Sequence, residues 1–521
     1  DRVYRSINDN CVGVTVKGAP GSYTVEGNDV TAPCINYMGA DSLSQEDADY
    51  IRYTDQAVGY NQMSLTALSI SGELFELPGG YAGFAAGYEH REEEGGSSPD
   101  ALTVSGVGSG NASSPTFGSF QVDEIYAELY LPVIDDLEIT AAIRAFDYST
   151  FGQDETWKLG FKYAPIDGLT LRGTISTAFR APSIGDLFGG QSTGYPPYTD
   201  PCNNWDSKDS NSNIYKNCSR DVGAGFEQPN GQVDRSLSGG NPDLQPETAD
   251  TLTYGFIYEP SFVEGFSMTV DYFNIEMENV ITSVGAQTII DKCYEAADGG
   301  IGGASSWCST LSRNAIGTVS GVEATSQNLS VWEVEGVDFN FNYTTDLSNL
   351  TLKVDWEGTH YMSWKDQSFE GQPIDENVGR ATTGTIADWK HTLSTSLRAD
   401  DWSVTWVARY ISESETSSIF DAKQDLAQGI ANGVTGDALT ALKQEVDQQK
   451  LDAADHTAEA YITHNVSVSY YVNDNFSVSA GIRNLTDETP PYFTDYGDSN
   501  TDQYTYDTVG RRWFMSFSSK F

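Results

Sequence analysis

Apolar residues recur at every second position in segment after segment of this chain. In "DEIYAELYLP", Ile125, Ala127, Leu129 and Leu131 alternate with Glu124, Tyr126, Glu128 and Tyr130. In "LEITAAIRAF" the apolar set is Leu137, Ile139, Ala141, Ile143 and Ala145, opposed by Glu138, Thr140 and Arg144. "TWKLGFKY" sets Trp157, Leu159, Phe161 and Tyr163 against Lys158 and Lys162, and "LTLRGTISTAF" sets Leu169, Leu171, Ile175 and Phe179 against Arg172 and its polar neighbours. "LTLKVDWEG" sets Leu350, Leu352, Val354 and Trp356 against Lys353, Asp355 and Glu357. A period of two is the period of a strand, because successive side chains point to opposite faces of a sheet. Segments of about ten residues with one apolar and one charged face, often bounded by Tyr or Trp, have the pattern of a transmembrane β-barrel with lipid outside and water within.

A soluble sandwich shares the alternation, so the connections carry the distinction. Short turns at 77–80, 133–136, 165–168, 259–265, 346–349, 399–401 and 472–475 alternate with long loops at about 92–119, 181–249, 280–330, 363–387, 412–457 and 487–510. Only the connection near 148–154 breaks the rule. Tight periplasmic turns opposite long extracellular loops are the habit of outer-membrane barrels. The pattern predicts an all-β, antiparallel barrel wall of about fifteen strands: 61–76, 80–91, 120–132, 137–147, 155–164, 168–180, 250–259, 265–279, 331–345, 350–362, 388–398, 402–411, 458–471, 475–484 and 511–521. Residues 1–60 are expected to form an extracellular loop, and 61–521 the C-terminal portion of the barrel.

The closing "WFMSFSSKF" fixes direction. Trp513, Met515, Phe517 and Phe521 share one face, as expected of a last strand descending to the periplasmic rim. Counting back puts every long loop outside the cell. A barrel has an even number of strands, so an odd number is expected ahead of residue 1. One loop departs from the strand pattern, because Leu439, Leu442, Val446 and Leu451 fall near helical spacing and predict a surface helix over 437–451.

Composition agrees with a strand-rich chain, with 12% aromatic residues and 29 Tyr among 521 residues. The formal charge of -46, from 75 Asp and Glu against 29 Lys and Arg, excludes a general nucleic-acid binder, which needs a basic face. No apolar run is long enough for a transmembrane helix. The chain opens in polar, loop-like sequence with no leader pattern, and reads as processed or partial. Six cysteines fall as three near pairs, Cys11 with Cys34, Cys202 with Cys218 and Cys293 with Cys308. Fifteen pairings are formally open. Near neighbours among Gly, Asn and Ser suit three loop-closing disulfides and an oxidising compartment.

Four stretches then resemble those of TonB-dependent outer-membrane receptors. "TAFRAPSIGDLFGG" (177–190) is similar to the family's "FRAPS…ELF" segment, and "NPDLQPETADTLTYGF" (241–256) to its "NPxLxPE" segment. "WEVEGVDFNFNY" resembles the family's "xxGxE" strand, with Asp338 where Glu is common. "IRNLTDETPPYF", followed by "GRRWFMSFSSKF", resembles its final hairpin and terminal Phe. The resemblance implies a barrel of about twenty-two strands, hence about seven more before residue 1. It also implies an N-terminal plug and a TonB-contacting segment, neither carried by these residues.

The function this implies is energised uptake, through TonB, of a scarce nutrient such as a ferric siderophore, oligosaccharide or peptide, in the outer membrane of a Gram-negative bacterium. Its partners would be outer-membrane lipid and lipopolysaccharide, the plug, TonB and the solute, with no nucleic acid. A passive porin or surface adhesin is the alternative. No catalytic constellation stands out, and His90, His360, His391, His456 and His464 lack metal-ligand spacing. Binding chemistry belongs in the loops: Trp205, Asp206, Asp209 and Tyr215 in one, and Tyr492, Phe493, Tyr496, Asp498 and Tyr504 in another. These acidic, aromatic loops favour a neutral or cationic ligand. Asp209, Asn211 and Asn213 copy the start of a calcium loop, but Ile214 stands at its Gly position and Arg220 at its bidentate Glu; no other cofactor is expected. Arg144, Lys158, Lys162, Arg172, Lys353, Asp355 and Glu357 are expected to face the lumen or the plug, and Arg180 and Pro182 to set a strand end.

Overall fold

A computed structural model of the chain describes residues 22–25, 28–31, 45, 48–49, 52–106, 110–229, 231–369, 372–452, 457–493 and 500–520. Fifteen long strands form one antiparallel sheet in chain order. They are β1 (Val58–Leu77), β2 (Gly80–Ser98), β3 (Thr116–Ile134), β4 (Leu137–Tyr148), β5 (Gly152–Ile166), β6 (Leu169–Arg180), β7 (Glu247–Tyr258), β8 (Phe266–Ser283), β9 (Ser326–Leu347), β10 (Leu350–Gln367), β11 (Trp389–Arg398), β12 (Trp402–Ile411), β13 (Tyr461–Asn473), β14 (Phe476–Arg483) and β15 (Arg512–Ser519). A two-residue strand, Asp375–Glu376, also pairs with β10. Among the described residues, no helix is long and apolar enough to cross a membrane. Cys11, Cys34, Tyr496, Asp498, His456 and Phe521 lie outside the described residues.

Each residue in a ladder shares its face with its direct partners, so the register reveals what each face carries. One row across five strands reads Leu129, Ala141, Leu159, Ile175 and Leu252. Its four large members are 40–46% exposed, in a contiguous apolar band. Soluble monomers rarely expose so continuous a patch, whereas a lipid-facing wall requires one. On β15, Trp513, Met515 and Phe517 face the same way. A row on the opposite face reads Glu138, Lys162, Arg172, Gly255, Asp271, Asp338, Thr359 and Lys390. The two faces differ as the alternation predicts.

Several strands run further than the alternation indicated. β2 ends at Ser98 instead of near 91, and β3 starts at Thr116 instead of near 120. Pairing continues there through Glu94↔Ser119, Gly95↔Gly118 and Gly96↔Phe117. Backbone hydrogen bonds sustain such a projecting hairpin, and side chains beyond the lipid have no reason to alternate. β8, β9 and β10 extend similarly at the same end of the sheet.

Turns at the other end are tight. Gly168 sits at φ +75°, and a Cβ there would lie 2.3 Å from the Glu259 carbonyl oxygen on the adjoining turn, so the position requires Gly. The opposite connections are mostly long, and they are folded. The expected surface helix is present as Gly436–Asp452, packed against a second helix, Ser417–Ala431, that the spacing did not announce.

Candidate functional site

Two connections, 181–246 and 284–325, fold together over the long-loop end of β6–β9. Both contribute to one small sheet: Ser192–Gly194 and Ser236–Ser238 from the first join Leu311–Arg313 and Val319–Glu323 from the second. They share a hydrophobic core that includes Tyr198, Val233, Ile289, Ile290, Tyr294, Val319 and Val322. α1 (Asn213–Asp221) and α2 (Ala286–Glu295) carry Cys218 and Cys293, which are bonded to Cys202 and Cys308. Asn217 of α1 donates to the carbonyls of Tyr294 (2.9 Å) and Ala296 (2.8 Å), crossing from one connection to the other.

At the heart of this lobe is a buried ion pair. Arg313 donates to both Asp200 oxygens at 2.6 and 2.7 Å, and both side chains are nearly sealed from solvent. Arg313 also donates to the Tyr294 hydroxyl (2.6 Å), which donates to Asp221 (2.8 Å). Burial, partly opposed by the Arg313 charge, pushes the Tyr294 phenol well above its ordinary range. For Arg313, burial acts to lower its pKa but is outweighed by Asp200 and Tyr294, so it stays charged. A buried charge of either sign needs such partners.

The residues expected to bind ligand here divide. Trp205 is buried, donates its indole N–H to the Gly223 carbonyl (3.1 Å) and meets Tyr215 edge to face at 5.0 Å, so both rings serve the lobe core. Asp206 accepts from the Gly225 N–H (3.0 Å). Asp209 accepts from the Asn211 N–H (2.9 Å), while Asn213 is used on the Glu295 carbonyl (2.8 Å), so the three sites of the calcium-like string do not converge. Among the described residues, no three His, Cys, Asp or Glu side chains group as metal ligands.

Connections 368–388, 412–460 and 484–511 form a second lobe around Ala381, Ala458, Tyr461, Phe493 and Tyr506. Phe493 is fully buried, whereas Tyr492 and Tyr504 remain open to solvent. Asp502 is sealed and accepts from the Thr385 (2.8 Å) and Tyr504 (3.0 Å) N–H groups. Burial raises its pKa, but hydrogen bonds, including those from Thr505 and Gly384, win and hold it below the ordinary carboxylate range. Phe369 meets Trp307 at 5.2 Å and joins the two lobes.

The motifs "FRAPS" and "NPDLQPE" clasp one another. Arg180 forks onto Glu247 at 2.6 and 2.7 Å, and Glu247 also accepts from the Ile281 N–H (2.8 Å). Asp186 and Ser183 form a capping box on the Ile184–Phe188 turn of helix. The Asn241 N–H donates to the Asp186 carbonyl (2.7 Å), and the Asn241 side-chain amide donates to the Ser326 backbone carbonyl (3.0 Å). Arg180 therefore acts on a strand end.

Along the charged face, wall residues from β3 to β10 neutralise one another. Arg144 lies 3.0 Å from Glu124, Lys158 4.0 Å from Glu128, Lys162 3.6 Å from Glu138 and Lys353 4.0 Å from Asp355. Arg172 forks onto Asp271 across an entire intervening strand. Gly255 lies between them in the ladder, and a Cβ there would stand 2.3 Å from the Asp271 carboxylate, so the bridge depends on glycine. Glu357 lines a cavity of about 550 Å³ with Asp271, Asp338, Lys390 and Arg409. At the long-loop end of β12–β15, a second cavity of about 360 Å³ gathers Arg409, Arg483 and Arg512, which sequence reasoning missed. Arg409 does stand in the alternation, opposite Trp406, Ala408 and Tyr410, but nothing in the sequence marks it as lacking a counter-charge.

Residues 8–485 match the family model described as TonB dependent receptor-like, beta-barrel. Among curated proteins, the chain is 21% identical over 381 residues to a vitamin B12 transporter, BtuB, of Vibrio vulnificus, covering 73% of this chain and 40% of that protein. It is 23% identical over 412 residues to a probable TonB-dependent siderophore receptor, PirA, of Acinetobacter baumannii, covering 77% and 43%. The chain thus spans less than half the length of these relatives. Among solved structures, the PirA siderophore receptor of A. baumannii superposes with a TM-score of 0.54 at 16% identity, over 89% of this chain and 55% of that one. The ferric enterobactin receptor PfeA of Pseudomonas aeruginosa gives 0.53 at 16% identity, over 89% and 54%. The chain belongs to the TonB-dependent receptor β-barrel family.

Proposed function

We propose that this chain forms the C-terminal part of the wall and the solute-capturing loops of an outer-membrane receptor that imports a scarce nutrient with energy delivered through TonB. The observation that carries this reading is the pairing of a two-faced wall with folded lobes at one end only. A passive pore needs an open mouth, whereas ordered lobes with a disulfide-stapled core suit selective capture. The lobes would face the medium and the tight turns the periplasm, consistent with disulfides forming outside the cytoplasm. The self-neutralised inner face would line the barrel lumen, closed by further strands and filled by a plug. Siderophores and vitamin B12, named for the relatives, exemplify the cargo class.

The test is uptake by cells making the full-length receptor. Mass spectrometry of small molecules that co-purify with the receptor, compared with a variant lacking 181–249, identifies the solute. Its accumulation should then stop when TonB is deleted or a protonophore is added. Accumulation continuing at an unchanged rate would instead identify the passive porin.

A further inference from the structure

The inner face of the last strands carries more positive charge than its described carboxylates pair with. Arg483 and Arg512 are direct cross-strand partners on β14 and β15, a like-charge pairing that opposes folding unless something relieves it. Arg512 is held by Asp507 at 2.5 Å. The Arg483 guanidinium lies 5.5 Å over the Phe514 ring, a contact that leaves its charge uncompensated. Arg409, two strands away, is exposed and, like Arg483, makes no ion pair or hydrogen bond with any described residue. Among the described residues, three guanidinium groups thus share a cavity of about 360 Å³ with one carboxylate, that of Asp507, although Arg409 also borders the adjoining cavity that holds Glu357. They do so in a chain of net charge -46, where a carboxylate partner is abundant. On β4–β10 every comparable cation named above has a carboxylate within 4.0 Å.

We propose that this cavity is a binding site for an anionic group, a multivalent carboxylate or phosphate, on the solute. Guanidinium forks match the oxygens of such groups in pairs, and the cross-strand repulsion between Arg483 and Arg512 falls when an anion lies between them. The cavity opens where the second lobe meets the wall: Thr505 and Asp507 come from the last long connection, and Tyr461 starts β13. This placement suits a solute passing from the loops to the lumen. It reverses, at this rim, the preference for neutral or cationic ligands that the acidic loops suggest. The inference deepens the receptor reading and rests on it only for the bound group being cargo.

The test is calorimetric titration of the full-length receptor in detergent at low salt, with citrate as probe and maltose and spermidine as neutral and cationic controls. Citrate should bind and the controls should not, with affinity falling as NaCl screens the site. R409Q/R483Q should weaken citrate by at least about tenfold, the loss expected for a charge-assisted hydrogen bond. R409K/R483K should fall between, and K158Q/K162Q should bind as wild type. Equal affinity in R409Q/R483Q, or no preference for citrate over maltose, would overturn the site. So would citrate binding that emerges only after removal of residues upstream of residue 1, which would assign the arginines to an internal acidic segment. Neither arginine makes a hydrogen bond with a described residue, and Arg483 repels Arg512, so R409Q/R483Q should melt at or above the wild-type temperature; a lowered one would mark the pair as structural and also overturn the proposal. None of these readouts needs TonB, so receptor uptake can fail while anion binding stands, and the reverse.

Discussion

The wall and the stapled lobe are held together by opposite strategies. Apart from a buried cluster of Phe120, Val122, Phe146 and Tyr148 near its long-loop end, the wall has little interior of its own: its apolar side chains point outward at Leu129, Leu159 and Ile175, and its strength lies in a continuous ladder of backbone hydrogen bonds. The lobe is a miniature globular unit, with Ile290, Tyr294, Val233 and Val319 sealed inside, two disulfides and a buried ion pair. Removing one side chain from the lobe therefore removes something shared by two connections, whereas removing one from the charged wall face removes a contact already wet.

The largest effect is expected at Arg313. Arg313→Ala strands the Asp200 carboxylate in the core, and should cost the lobe about 3–5 kcal/mol, read as loss of hydrogen-exchange protection over 192–238 and 284–323 with the wall unchanged. Loss of wall protection as well would break the comparison. Replacing Cys202 and Cys218 with serine should cost the lobe about 3 kcal/mol, the stabilisation typical of a bond closing a loop of this size; limited proteolysis of the folded receptor would show cleavage within 203–217. Leu159→Arg places a charge on the lipid face and should cost the wall about 2 kcal/mol in lipid, measured by denaturant titration in vesicles. A smaller effect in lipid than in detergent would argue that this face meets no membrane.

Asp502 distinguishes the second lobe by acidity. Its carboxylate is held below its ordinary pKa, so its stabilisation is present above about pH 4, the unfolded value, and is lost as pH falls through the lower folded value. Melting of the second lobe should fall across that window, and Asp502→Asn should flatten the fall. In the same lobe burial raises the Tyr506 phenol to about 12. The neutral form is favoured, so its stabilisation is whole below about pH 10 and disappears on approaching pH 12. The smallest effect is expected for Lys162→Gln. Its pair with Glu138 is more than half exposed on the lysine side and should contribute less than about 1 kcal/mol. A cost comparable to that of Arg313→Ala would mean the wall's charges are buried by another element.

Reading the chain alone recovered the strands because alternation is local: ten neighbouring residues suffice to show that Arg144, Lys158, Lys162 and Arg172 share a face opposite lipid. It did not recover their partners. Glu124, Glu128, Glu138 and Asp271 are chosen by register, and Asp271 reaches Arg172 only because Gly255 leaves the path open. The loop aromatics stand among polar neighbours in the sequence, which points to ligand binding. Trp205 and Phe493 are instead buried by segments far along the chain.

By itself, the sequence determined the two-faced strands, their order, the tight turns and the family, since a period of two and a turn residue act over a few positions. The tertiary structure decided which charges cancel and which remain free, and that two long connections make one core. Those outcomes depend on ladder register and on contacts between segments such as Asp200 and Arg313, separated by 113 positions. Arg409 and Arg144 look alike in the alternation, and only the folded chain shows that Arg144 is paired with a carboxylate while Arg409 pairs with none among the described residues.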